Sequence, residues 1–240
     1  EELELAKDIQ KNLLPKEIPS MPAFEIAATS ISSKQVGGDY YDIIKKDEHK
    51  YFVAIGDVSG KGVPAALLMA NLQAFLKSIC TQNVAIDDAT GTINNLVADN
   101  TSDGKFITFF WGILDNSNLE FSYVNAGHNP PLLVRGGEIT YLDKGGIILG
   151  VMPTFTPYLT ETIQLHEDDL LVLFTDGVTE AKSPEDEEFS DETLELLVRE
   201  SAALPAVEIL DRIRHSVYDF ANGAFQSDDI TIIVIKVKKK

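Results

Sequence analysis

Apolar residues recur along this chain in two rhythms. Over residues 1–14 the spacing is helical. Leu3, Ala6, Ile9 and Leu13, with Leu5 beside them, form one stripe, and Pro15 ends it because proline removes a backbone donor and clashes with the preceding turn. Short β-type segments follow at 24–31, 40–44 and 51–55. The charged turn 45–50 joins the last two, the pattern of an antiparallel hairpin. A helix is expected to open at Pro64, which suits a first helical position, and to run to about Ile79; a second covers 85–98. Strands return at 106–115, 119–125, 132–134 and 139–142, with hairpin turns at Asn116-Ser117-Asn118 and Gly136-Gly137. Strands at 158–165 and 170–175, helices at 191–200 and 206–220, and a closing strand at 230–236 complete the pattern.

The strands cluster in hairpins instead of alternating one-for-one with helices. That predicts an α+β fold of antiparallel β-sheets covered by helices, not a parallel doubly wound sheet. No repeat, low-complexity block or linker divides the chain, so residues 20–240 read as one domain preceded by the helix of residues 1–15. Two readings fit that helix: it docks on its own domain, or it ends a longer signalling helix and pairs with a second copy. Two heptads are too few to decide. The first residue is Glu and not Met, which fits a fragment of a longer protein.

Composition narrows the partners. The 38 acids against 20 bases give a net charge of −18, and 44% of residues are hydrophobic. So apolar a chain is not a disordered acidic tail. The charge argues against nucleic acid and anionic membrane surfaces as partners. No run of 18 apolar residues and no signal-peptide pattern is seen, so no membrane insertion is expected of this segment. A single cysteine, Cys80, allows no internal disulfide and suits a reducing, cytoplasmic setting. Twelve acids against one base, Lys182, lie between Glu167 and Glu195. Those at 185–188 read as a solvated stretch before a helix, and the basic end at 238–240 as a frayed tail.

Four aspartates stand out by position. Asp57 and Asp176 end apolar strands, while Asp39 and Asp228 directly precede them. Antiparallel neighbours bring the end of one strand beside the start of the next, so the four can converge on one edge of the sheets. Carboxylates so placed repel one another and are stable together only with cations between them. Oxygen-only ligation suits Mg²⁺ or Mn²⁺, and two such ions can hold a bridging water and clamp a phosphoryl group. Four unrelated turn aspartates fit the spacing equally well.

The motifs Gly37-Gly38-Asp39-Tyr40-Tyr41-Asp42, Gly56-Asp57-Val58-Ser59-Gly60-Lys61-Gly62, Thr175-Asp176-Gly177-Val178-Thr179-Glu180 and Asp228-Asp229-Ile230-Thr231 occur in that order. Together they resemble the metal-dependent protein serine/threonine phosphatases (PPM type), in their bacterial SpoIIE-like branch. Asn125-Ala126-Gly127-His128-Asn129-Pro130-Pro131 and the leading Ile9-Gln10-Lys11-Asn12-Leu13-Leu14-Pro15 match the same branch. The resemblance implies two antiparallel sheets packed face to face with helices outside, an αββα sandwich, plus the extra N-terminal helix. It implies two Mn²⁺ or Mg²⁺ ions. Asp57 would bridge them, joined by the Val58 carbonyl; Asp39 would complete one site, and Asp176 and Asp228 the other. A metal-activated water would attack phosphoserine or phosphothreonine directly. Asp42 and Asp229 would play supporting roles, and Gly60 and Gly62 would shape the loop feeding the next helix. Gly62, Val63, Pro64, Leu67 and Leu68 would form the region that couples upstream signals to the metals. A phosphoprotein of the anti-anti-sigma type would be the substrate, and a sensor domain would lie upstream in the same chain. No arginine near Asp39 matches the phosphate-binding arginine of eukaryotic relatives; Lys34 lies nearby.

Rival readings have sequence features of their own. His128 could be a general acid, or could hold a turn by hydrogen bonds. Ser59-Gly60-Lys61-Gly62 fails the spacing of a phosphate loop, and Gly62 stands where that loop needs Ser or Thr. Gly37-Gly38-Asp39-Tyr40-Tyr41 resembles the start of the diguanylate cyclase signature, with Tyr40 in place of its metal-binding Glu. A catalytically silent signalling or dimerisation module of the same fold is the alternative from another class, and retention of all four aspartates argues against it.

Overall fold

The computed structural model of the chain describes residues 1–101 and 104–239. After helix α1 (Glu2–Lys11) come strands β1 (Phe24–Ile31), β2 (Tyr40–Lys45) and β3 (Lys50–Val58), then helices α2 (Val63–Cys80) and α3 (Ile86–Asn100). Six further strands follow: β4 (Ile107–Asp115), β5 (Glu120–Ala126), β6 (Leu132–Arg135), β7 (Glu138–Tyr141), β8 (Gly145–Gly146) and β9 (Glu161–Gln164). Strand β10 (Leu170–Phe174), helices α4 (Asp191–Ser201) and α5 (Ala206–Ala221), and β11 (Ile230–Val237) close the chain. One sheet runs β1-β11-β10-β6-β7, and the other β2-β3-β4-β5-β8 with β9 on β5. The strand pairs are antiparallel except the two-residue β5–β8 pair.

The two sheets pack face to face. Residues such as Val53, Ile55, Phe110 and Tyr123 of one sheet and Leu171, Leu173, Ile233 and Ile235 of the other share a central core. The outer face of the β2–β5 sheet packs on α2 and α3 through Phe52, Ala54 and Trp111, and the outer face of the other sheet packs on α4 and α5 through Val172, Ile232 and Val234. Successive strand residues point to opposite faces. With both faces covered, β3, β10 and β11 must be apolar at most positions, which is why β10 reads as an unbroken hydrophobic run and β3 and β11 as nearly so. The antiparallel sheets covered by helices that the hairpin pattern predicts, and the αββα sandwich that the resemblance implies, are the architecture found.

Several details differ from the sequence reading. Strand β3 continues to Val58, so Asp57 lies inside it, opposite Thr108 of β4, and does not end it. The strand expected at 158–165 shrinks to Glu161–Gln164. Tyr158 belongs to the helix-side core while Leu165 belongs to the central one, so the segment changes face and cannot be one strand. Helix α2 starts one residue earlier than expected, with Pro64 inside its first turn. The end of the chain is not wholly frayed: Lys238 donates from its backbone to Ala23 and from Nζ to Met21, and Lys239 pairs with Asp168 at 3.2 Å. Lys240 lies outside the described residues.

Helix α2 is also long and apolar enough, by length and composition, to cross a membrane. In the fold its Ala65, Met69, Leu72 and Leu76 are buried in the helix-side core. Helix α1 buries none of its own residues, and Leu3, Leu5 and Ile9 are exposed. It is tethered only at its C-terminal end. Leu13 and Leu14 pack on the body, and the Gln10 amide donates to the Gly37 carbonyl at 2.7 Å and accepts from the Gly37 N–H at 3.0 Å.

Candidate active site

The sandwich brings both sheets' loops to one end. Tyr40 pairs with Gly56, so Asp39, just before β2, lies beside Asp57 near the end of β3. In the other sheet β10 runs antiparallel to β11, and the Thr175 N–H donates to the Thr231 carbonyl at 3.1 Å, which sets Asp176 near Asp228. The two pairs are then joined across the sheets. Thr175 Oγ1 donates to Asp39 Oδ2 at 2.8 Å and accepts from the Thr231 N–H at 2.9 Å.

Asp229 is the anchor of this arrangement. It is buried, and its carboxylate accepts from the N–H groups of Ser33 (2.7 Å), Gly38 (2.7 Å) and Asp39 (3.5 Å) and from Ser33 Oγ (3.0 Å). One carboxylate thus fixes the Gly37-Gly38-Asp39 loop of the opposite sheet. A Cβ on Gly37 would collide with that carboxylate, which is the reason for glycine there. Gly38 likewise lets the Val58 carbonyl approach the loop.

The electrostatics follow from this crowding. Burial first, and the charge of Asp57 next, push the Asp39 carboxyl well above the usual carboxylate range. Burial, then the charges of Asp176, Asp228 and Asp229, push Asp57 up to about 7. Asp176 is raised by burial and by Asp228, and is partly drawn back by the Gly177 N–H and Lys61. Glu180, one turn beyond, is raised by burial and by Asp176. The only base touching these acids among the described residues is Lys61, with Nζ 2.7 Å from Asp228 Oδ2 and donating to the Ser227 carbonyl at 2.5 Å.

The donor set fits a hard divalent cation: carboxylate oxygens, a backbone carbonyl, and no histidine or thiol among them. Like charges that raise one another's proton affinity favour a cation of higher charge between them. Among the described residues no three acids stand close enough to grip a metal as they are. The carboxylates share one electrostatic field without closing into a cage.

The remaining candidates lie around this cluster. Asp42 turns toward α2, where Lys77 Nζ meets it at 2.7 Å and Tyr40 donates to it at 2.8 Å. Gly60 and Gly62 both have left-handed backbone, φ 93° and 76°, and Gly62 caps α2, a conformation that other residues adopt only with strain. Val63 and Leu67 are exposed at the start of α2, while Leu68 packs inward. Lys34 is exposed.

His128 is buried, and both its ring nitrogens are engaged. Thr108 Oγ1 lies 2.9 Å from Nδ1 and the Phe174 carbonyl 3.1 Å from Nε2. The carbonyl can only accept, so Nε2 carries the proton and Nδ1 accepts from Thr108. Burial lowers its pKa to about 4, so it stays neutral. His128 therefore ties Thr108, opposite Asp57, to the strand leading into Asp176, and is not open to a substrate. Sequence reasoning passed over Thr175 and Ser33, and read Lys61 only as part of a loop that fails the phosphate-binding spacing. Thr175 and Lys61 sat inside quoted motifs; Ser33 carried no signal.

Comparison with known proteins adds ancestry to this geometry. Residues 47–238 match the family of stage II sporulation protein E (SpoIIE). The phosphoserine phosphatase RsbU of Bacillus subtilis is 32% identical over 239 residues, which cover 99% of this chain and 70% of RsbU. The chain spans only 41% of another curated relative, Protein IcfG of Synechocystis, at 30% identity over 98% of this chain. The SiaA-PP2C domain of Pseudomonas aeruginosa superimposes with a TM-score of 0.85 at 19% identity, over 99% of this chain and 96% of that one.

Two measurements check the electrostatics. With chelator present, Asp57→Asn should stabilise the protein at pH 8 by about 1–2 kcal/mol, a rise in Tm of roughly 3–6 °C. The repulsion is absent below the ordinary Asp value near 3.8, grows until Asp57 ionises at about 7, and is full above that. The gain should therefore fade toward pH 4, and a variant less stable than wild type at pH 8 would contradict the repulsion. His128→Ala should cost about 2–4 kcal/mol at pH 7. A buried neutral histidine contributes fully above its unfolded value of 6.5 and loses that contribution as pH falls through about 4. The gap between wild type and variant should narrow from pH 7 to pH 5; a constant gap would count against a neutral pin.

Proposed function

The chain belongs to the SpoIIE family of PP2C-type phosphatases, and from that premise we propose that it is a protein serine/threonine phosphatase dependent on Mn²⁺ or Mg²⁺. The observation that carries the reading is the convergence of Asp39, Asp57, Asp176 and Asp228, from both sheets, into one field that raises the proton affinity of Asp39, Asp57 and Asp176. Asp39, Asp57, Asp176, Asp228 and the Val58 carbonyl are the groups that would hold two ions. Bound there, such ions supply an acidified water and charge compensation for displacement at phosphorus. The chain's own part is to hold the acids in register. Asp229 and Thr175 fix the Asp39 loop, His128 ties the strands beneath, and Lys61 keeps a positive charge at Asp228. The buried, neutral His128 makes no proton transfer to the leaving oxygen.

The substrate in this reading is a phosphoprotein regulator of the anti-anti-sigma type. The similarity to RsbU, itself named a phosphoserine phosphatase, supports this. Residues 20–240 form the phosphatase unit. Residues 1–15 carry signals from an upstream sensor and pair with a second copy through the exposed Leu3, Leu5 and Ile9. Gln10, bonded to Gly37, and the Gly62, Val63, Pro64, Leu67 and Leu68 region at the start of α2 are the two routes from such a signal to the acids.

Hydrolysis of a phosphoserine peptide should require Mn²⁺ or Mg²⁺ and stop with chelator. Asp57→Asn and Asp176→Asn should each lower kcat/KM by more than roughly 100-fold, the loss seen when even a supporting partner of a metal ligand is removed. Full activity without metal, or in either variant, would overturn the reading. Deletion of residues 1–14 should change the mass seen by light scattering or the basal turnover; if both stay constant, the helix neither pairs nor signals.

A further inference from the structure

An apolar groove of about 530 Å³ opens beside the carboxylates. Its walls are the C-terminal half of α5, the loop that follows it, and the turn after Asp176. Val217, Ala221, Phe225 and Ile230 contribute apolar surface. Gly177 and Ser227 also line it, and they are the chain neighbours of Asp176 and Asp228, so the groove begins where the acid cluster ends. Tyr218 and Phe225 stand on it 74% and 78% exposed. With the apolar lining they form one contiguous exposed apolar surface, the kind that marks an interaction site, and not single scattered residues.

The groove's charge is unusual for this chain. The net charge is −18, yet the bases Lys182 and Arg214 line the groove, and His215 lies with them, its Nδ1 2.6 Å from the Asp211 carbonyl. Lys182 meets Glu188 at 3.0 Å and Asp186 at 3.8 Å, and Arg214 meets Asp211 at 3.0 Å. These are exposed pairs, each worth ~0–1 kcal/mol and readily exchanged for another acid. A phosphoserine side chain is short, so a residue reaching the acids brings its main chain and neighbours down onto this surface.

Resting on the phosphatase reading, we infer that this groove docks the segment flanking the phosphoserine of a protein substrate, taking an apolar side chain against Tyr218 and Phe225 and an acidic one against Lys182, Arg214 and His215. The groove then sets which phosphoproteins are accepted, while the carboxylates act on any phosphoester that reaches them.

The test uses two fluorescein-labelled unphosphorylated decapeptides with a central serine, one flanked by Leu and Asp and the other by Ala, read by fluorescence anisotropy with the whole chain. The Leu/Asp peptide should bind about tenfold more tightly, the worth of one well-buried aliphatic side chain. The preference should disappear in Tyr218→Ser/Phe225→Ser, whose thermal melt and circular dichroism report that it is folded. Equal binding of the two peptides, or a preference that survives in the folded double variant, overturns the inference. Turnover of p-nitrophenyl phosphate by the wild-type chain with Mn²⁺ judges the phosphatase reading separately. Turnover with no peptide preference removes the groove alone; a preference without turnover removes the phosphatase reading and leaves a peptide site.

Discussion

Mutual repulsion among buried carboxylates is the constraint on which this structure turns. Asp39 and Asp57 are side by side at the mouth of a sandwich, and both are raised by burial and by neighbouring acids. Left alone, such groups would drift apart or take up protons. They stay because their backbones are parts of two sheets whose cores are already complete. The energy that holds them comes from apolar burial elsewhere, and the site draws on it. Carboxylates perturbed in this way, by burial and by one another, cluster at functional sites.

Holding the acids in place takes bonds that cross from sheet to sheet. Asp229 leaves β11's approach to gather the Ser33–Asp39 loop, Thr175 reaches Asp39, and His128 links Thr108 to Phe174. Each joins the β1–β11–β10 side to the β2–β3–β4 side within a few residues of an aspartate. Asp229, Thr175 and His128 are themselves buried, where an unpaired polar group is costly, so losing any of these bonds is expensive. Among the described residues no buried side-chain polar atom lacks a partner. The network therefore has little slack, and a shift in any strand register would reach the acids directly.

Much of this was legible in the sequence because both faces of the main strands are buried. Apolar runs such as 170–174 and 230–235 announce themselves, and the aspartates near their ends can be counted. What the sequence hid is what depends on direction. Asp228 and Asp229 are identical neighbours, yet one reaches Lys61 and the other turns inward to bind four groups. His128 looked like either an acid catalyst or a turn residue, and only its two buried partners separate those. Lys61 could be read only as a failed phosphate loop, because its partner Asp228 is 167 positions away in a different sheet. The segment 158–165 misled because its apolar residues serve two different cores, which periodicity cannot express.

The net charge of −18 looks different once placed on the fold. The acids at 185–188 are exposed and lie against solvent. The acids that matter are few and sit where an anionic phosphoryl group would have to enter. A phosphorylated substrate is repelled by the chain as a whole, and more strongly at close range. Approach therefore needs positive charge near the mouth and apolar contact to hold the flanks while it acts. Lys61 supplies the first at Asp228, and the groove with Lys182 and Arg214 supplies both beside it. Selectivity and reaction are in this way divided between two adjoining surfaces, joined through the Asp176-Gly177 and Ser227-Asp228 peptide units.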